Sequence, residues 1–150
     1  MVADQALTKV AVAVGPGSFT GLRVGVSFGL GLAIGLRVPI VPLRTLHLQA
    51  ARSDGPVTAL AEAGRGRVYH LAPGRDPALA EPHELPHELP VVGWLRPATE
   101  AALLSAGLRF PPEAELRTFG AAASLLLESA PEVAYGSLKL EYMQGFTKRA

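Results

Sequence analysis

Two stretches of the sequence hold residue types that could do chemistry. His83-Glu-Leu-Pro-His87 matches H-E-x-x-H, in which two imidazoles bind zinc while the glutamate acts as general base. That chemistry needs both histidines on one helical face, and Pro82 and Pro86 interrupt the turn that would align them. With His87-Glu-Leu-Pro90 the segment is a tandem repeat, and it reads as a solvated, extended proline-rich loop rather than a metal site. The second stretch is Gly15-Pro-Gly-Ser-Phe-Thr-Gly-Leu-Arg23. A glycine-rich entry to a helix offers free N–H groups and a partial positive charge to a phosphate, so Gly15, Gly17, Ser18, Thr20 and Arg23 form a candidate anion-binding set. The motif lacks the Gly-Lys-Ser/Thr of a Walker A loop, and its third glycine comes one residue too late for G-x-G-x-x-G. The simpler reading is a tight strand-to-helix turn.

Other reactive types do not assemble into a site. Gly17 abuts Ser18, so there is no G-x-S-x-G nucleophile elbow. His47 and His70 stand alone, and Asp4, Asp54 and Asp76 all fall in loops with no partner carboxylate. The chain has no cysteine, which excludes disulfides, thiolate metal sites and cysteine nucleophiles. No catalytic residue, metal or cofactor is therefore expected.

The elements that position these residues follow from composition and spacing. In 150 residues, 49% hydrophobic and 18% charged, there is enough apolar material for a core and too little charge for disorder. Fourteen basic against thirteen acidic residues, net +1, make neither a nucleic-acid platform nor a membrane-binding face. Lys148-Arg149 is an ordinary charged tail. No secretory pattern follows Met1, and the charge-free run Val24–Leu36 falls short of the roughly 20 residues of a membrane span, so a cytoplasmic protein is expected.

Lys9–Val14 reads as a strand buried on both faces, Phe19–Leu36 as a helix capped by Ser18 or Thr20, Val38–Pro42 as extended, and Thr45–Arg52 as a shorter helix. Strand-helix-strand-helix predicts a parallel sheet. Pro56–Glu62 and Arg67–Ala72 flank a glycine turn and read as a hairpin. Pro73–Pro90 is expected to be the least structured part. A strand at Pro90–Trp94, helices at Thr99–Ala106 and Ala121–Ser129, and a last strand at Leu138–Tyr142 complete the reading.

The long helix is the most informative element. Between Val24 and Leu36 its only polar side chain is Ser27, and a helix apolar all round must be covered all round. Gly21, Gly25 and Gly29 recur every four residues and would let another backbone approach closely, either a helix of the same chain or a partner's.

The motif Gly15–Gly25, the helix after it, and Pro39 and Pro42 resemble the signature of the TsaB (YeaZ) family. Ala61-Glu-Ala-Gly-Arg-Gly-Arg-Val-Tyr69 resembles that family's hairpin, and Leu140–Phe146 its closing segment. The resemblance implies an α/β fold of the actin-like and sugar-kinase-like (ribonuclease H-like) type, with residues 1–52 in an N-terminal lobe and 53–150 in a C-terminal one. It also implies that an opening segment of strands and a helix is missing ahead of Met1. The implied role is that of a non-catalytic subunit in forming threonylcarbamoyladenosine on tRNA. It would work with a TsaD-like protein and a TsaE-like ATPase, touch tRNA only indirectly, and dimerise with itself when alone. The contacts would be made through the long helix, at Gly21, Leu22, Gly25, Val26, Phe28, Gly29, Leu32 and Ala33. Two positions depart from the family: Glu62, where aspartate is usual, and Gly64, where arginine is common and Arg65 follows one step along. The competing function is enzymatic, a nucleotide-dependent phosphotransferase or a glycoprotease-like peptidase.

Overall fold

The computed structural model describes residues 6–141. The chain runs through β1 (Val10–Ala13), α1 (Phe19–Leu36), β2 (Ile40–Leu43), α2 (Thr45–Ala50), β3 (Thr58–Gly64), β4 (Arg67–Leu71), β5 (Ala78–Ala80), β6 (Val91–Trp94), α3 (Pro97–Ser105) and α4 (Phe119–Leu127), with short 3-10 turns between several of them. The predicted α/β class holds, and β1 and β2 pair in parallel as the strand-helix-strand order requires. A second sheet has the order β5-β4-β3-β6, with β3 antiparallel to β4 and parallel to β6.

Ser18 and Arg37 set the boundaries of α1. The Ser18 side chain accepts the Gly21 N–H at 3.3 Å, and Arg37 closes the far end in a left-handed conformation, φ 56°. The Tyr135 hydroxyl then donates to the Val38 carbonyl at 2.7 Å, tying the C-terminal stretch to the helix end. The hairpin forms where expected: Arg65 and Gly66 both have positive φ, the requirement of a type I′ turn, and the register shifts beside Gly64.

Two buried clusters fill the second sheet's faces. Leu60, Val68, Val91, Leu103 and Leu108 lie on the α3 side, and Leu46, Ala59, Ala61 and Tyr69 on the α2 side. A third cluster joins Val12, Val14, Ala33 and Ile40, and Val133, Tyr135, Leu138 and Leu140 pack against it. The stretch after α4 thus returns to the first sheet.

Several expectations need correction. β1 is buried on one face only: Val12 and Val14 are buried, while Ala11 and Ala13 remain half-buried. The Pro73–Pro90 stretch is more ordered than its prolines suggest. It contributes the edge strand β5, a 3-10 turn at Pro82–Glu84, and Leu85 in the core. The described part of Leu138–Tyr142 forms no regular strand, although Leu138 and Leu140 pack against the third cluster. Tyr142, the rest of the closing segment, Asp4 and Lys148-Arg149 lie outside the described residues.

Candidate functional site

The arrangement around α1 is the feature that asks for a function. One side of the helix rests on β1, where an added Cβ on Gly29 would lie 2.2 Å from a Val12 methyl. Gly29 and Ala33 are the helix's buried residues, and Leu22, Val26 and Leu30 flank them half-buried. The opposite side carries Val24 and Phe28, 65% and 74% exposed, with Ile34 half exposed, and Leu36 at the helix end is about half exposed too. Apolar side chains exposed together on this scale are uncommon on a folded protein. By length and composition α1 is also the one described helix that could cross a membrane, yet it carries Arg23 and lays its Gly29–Ala33 side on the sheet.

This geometry sorts the residues expected at a partner contact. Gly21, Gly25, Phe28 and Leu32 are on the exposed side, and Leu22 and Val26 are at its margins. Gly29 and Ala33 are not available, because they face the chain's own β1. The physical reason is the drift of about 40° for every four residues of an α-helix. Three glycines at that spacing therefore wind off a common line. Gly29 serves close packing within the chain, while nothing lies within 4 Å of a Cβ built on Gly25.

The glycine loop is already engaged by the chain itself. Gly15 has φ +114°, and a Cβ there would sit 2.5 Å from the Glu141 carbonyl oxygen. The Glu141 N–H donates to the Val14 carbonyl at 2.7 Å, and its carboxylate pairs with Arg44 at 2.8 Å. Gly17 is half-buried with Leu22 beside it. Ser18 is committed to its capping bond, the exposed Thr20 lies in the first turn, and the Arg23 guanidinium lies over the Phe19 ring at 4.1 Å. The five candidate anion ligands are neighbours, with the Glu141 backbone carbonyl rather than open space next to Gly15.

Elsewhere the reactive types have structural duties. Glu62 accepts the Arg96 N–H at 3.2 Å and the Thr99 hydroxyl at 2.7 Å, so it caps α3. Arg52 is buried against Gln49, pairs with Glu113 and stacks on Phe119, a network that charge counting could not reveal. Arg117 pairs with Asp54, and Asp76 is exposed. His83 and His87 are exposed, His83 in the 3-10 turn and His87 against Gly107; no group of three or more metal-ligating side chains forms among the described residues. His47 lines a shallow cleft with Arg75 and Pro56. His70 is held below its usual 6.5 by burial, against a smaller upward pull from Glu84.

Comparison with known proteins agrees with this reading of the fold. Residues 2–79 match the family model described as TsaD, tRNA N6-adenosine threonylcarbamoyltransferase. Over 71 residues the chain is 42% identical to the "tRNA threonylcarbamoyladenosine biosynthesis protein TsaB" of Bacillus subtilis, covering 45% of this chain and 31% of that protein. The Escherichia coli protein of the same name is 40% identical over 67 residues, covering 41% and 29%. The chain thus spans about a third of the length of these curated relatives. Two solved structures from Pseudomonas aeruginosa, YeaZ and a protein described as similar to peptidase YeaZ, share the fold with TM-scores of 0.61 at 19% and 20% identity, each covering 92% of this chain and 74% of the other. The family match over more than half of the sequence, a fold shared with YeaZ and the glycine loop leading into α1 together identify the chain as a member of the TsaD-type threonylcarbamoyltransferase family, within its TsaB (YeaZ) group.

Proposed function

We propose that this chain is a non-catalytic subunit in the formation of threonylcarbamoyladenosine on tRNA. In this reading it presents the exposed side of α1 to a TsaD-like catalytic partner. A TsaE-like ATPase completes the assembly, tRNA is touched only through the partner, and the same helix pairs two copies when the partner is absent. The activity named for the curated relatives supports the process. The observation that carries the docking role is the apolar side of α1, with Phe28 74% exposed on a helix that no described element covers there. Burying such a surface stabilises a complex by roughly 25 cal/mol per Å² of apolar area, before the cost of association.

Gly25→Leu tests this, because the new side chain enters open space in the isolated chain. Affinity for the TsaD-like protein, titrated by calorimetry, should fall at least a hundredfold while the unfolding midpoint stays level or rises slightly, leucine being the better helix former. Unchanged affinity would refute the docking role. The enzymatic alternative requires nucleotide at the glycine loop, where Glu141 sits beside Gly15. Calorimetry with ATP and magnesium on the isolated chain should give no binding heat, and micromolar binding with turnover would favour the enzyme.

A further inference from the structure

A cleft of about 400 Å³ opens beside the start of β3 in the second sheet. Side chains alternate along a strand, so Thr58 shares its face of β3 with Leu60, on the α3 side. Thr58 is 1% exposed and lines the cleft. Its hydroxyl makes no hydrogen bond with a described residue. Unlike the Thr45 hydroxyl it is not sealed off, so its oxygen opens into the cleft. A nearly buried hydroxyl left this way costs free energy until water or a ligand pairs with it.

Two opposite charges line the same cleft. Arg75 closes a turn in which its N–H donates to the Ala72 carbonyl at 3.1 Å, with Gly74 at φ +70°. Glu88 lies on the short segment between the buried Leu85 and Pro90, whose carbonyl accepts the Thr58 N–H at 2.9 Å. Backbone and core contacts thus hold both residues in place. Both side chains are exposed, and neither forms an ion pair with the other or with any described residue. Pro56, Pro73 and Leu89 supply apolar walls. All the lining residues fall within 56–89, and none belongs to the first sheet, to which the stretch after α4 returns.

The lining selects among ligands. A simple anion would be opposed by Glu88 and a simple cation by Arg75, whereas a ligand that carries both charges satisfies the pair. The cavity is near the lower end of the roughly 300–1,000 Å³ of small-molecule sites, which limits that ligand's size. We propose that this cleft binds a free α-amino acid with an apolar side chain. The carboxylate takes the Arg75 guanidinium and the ammonium takes the Glu88 carboxylate. The Thr58 hydroxyl hydrogen-bonds the ligand's polar end, and the ligand's side chain packs on the proline rings and Leu89. The site is separate from the exposed side of α1 and does not depend on what docks there.

L-Valine, L-leucine and L-phenylalanine serve as probes, each titrated into the isotope-labelled whole chain and followed by nuclear magnetic resonance. At least one should bind saturably, shifting the amides of Thr58, Arg75 and Glu88 and leaving that of Gly25 unmoved. For that probe, the carboxamide and the N-acetyl derivative each lack one charge and should bind at least tenfold more weakly. Arg75→Gln and Glu88→Gln, both at exposed positions, should each weaken binding at least tenfold with the unfolding midpoint unchanged. Thr58→Val keeps the shape of the buried side chain, removes the hydroxyl and should weaken binding at least threefold. The proposal fails if none of the three probes shifts these amides at tens of millimolar. It also fails if both derivatives bind as well as their parent, or if both charge-removing variants keep its affinity within twofold.

Discussion

The four-stranded sheet closes its own core, whereas the β1–β2 sheet leaves one side of its helix in water. In the first, Leu60, Val68, Val91 and Leu103 are no more than 1% exposed, and α2 and α3 cover opposite faces. In the second, α1 seals only Gly29 and Ala33 and leaves Val24 and Phe28 largely uncovered. Both regions are apolar in sequence, so composition does not separate them. The difference lies in the number of layers available: the larger sheet has one on each face, and the 18-residue helix of the smaller one meets a sheet on one side only. Apolar residues act as core in the first region and stay largely exposed in the second.

Substitutions that remove the same kind of side chain from each region put this contrast to the test. Leu103→Ala empties a fully buried site and should lower unfolding free energy by about 2–5 kcal/mol in urea titration, while Phe28→Ala should change it by under about 0.5 kcal/mol. Equal costs would abolish the distinction. Within α1, Gly29→Ala drives a Cβ into Val12 and should destabilise by about 1–3 kcal/mol. Glu62→Ala removes both acceptors that hold the start of α3 and should cost about 1–2 kcal/mol, read from the same denaturation curves. Gly25→Ala should act in the opposite direction, stabilising by about 0.5–1 kcal/mol through helix propensity alone, because its surroundings are open. A loss of stability there would mean that the outer side of α1 is packed.

The smallest effect concerns pH. Burial depresses His70 below 6.5, so the unfolded chain takes up that proton first. Its contribution is complete above about pH 6.5 and is lost as pH falls through the lower folded value. His70→Leu should flatten the stability profile in that window, and an unaltered slope would show that burial does not control this histidine.

Much of this fold was legible because local rules and tertiary demands agree. A short valine-rich apolar run marked β1, Ser18 and the proline-free run marked α1, and Gly64–Gly66 marked the hairpin. β5 was hidden because three residues between prolines carry no periodicity, and their strand state comes from pairing with β4. The half-buried face of β1 was misread because small alanines look buried by type, whereas Ala11 and Ala13 are only partly covered. At the candidate site, the all-round apolar character of α1 was visible in its residues. The drift that turns Gly29 inward and Gly25 outward needed the helix to be placed on its strand. The roles of Glu62, Arg52 and Glu141 depend on partners 34 or more residues away, or on backbone contacts that no local motif encodes.

Oxidative footprinting of both regions in one sample tests the central claim most directly. Phe28 on α1 and Trp94 at the end of β6 are 74% and 72% exposed, so each reports on its own surface with comparable sensitivity. On adding a TsaD-like partner at saturation, Phe28 oxidation should fall at least fivefold while Trp94 oxidation stays unchanged. Protection of Trp94 with Phe28 still fully reactive would place the contact on the wrong region and contradict the account.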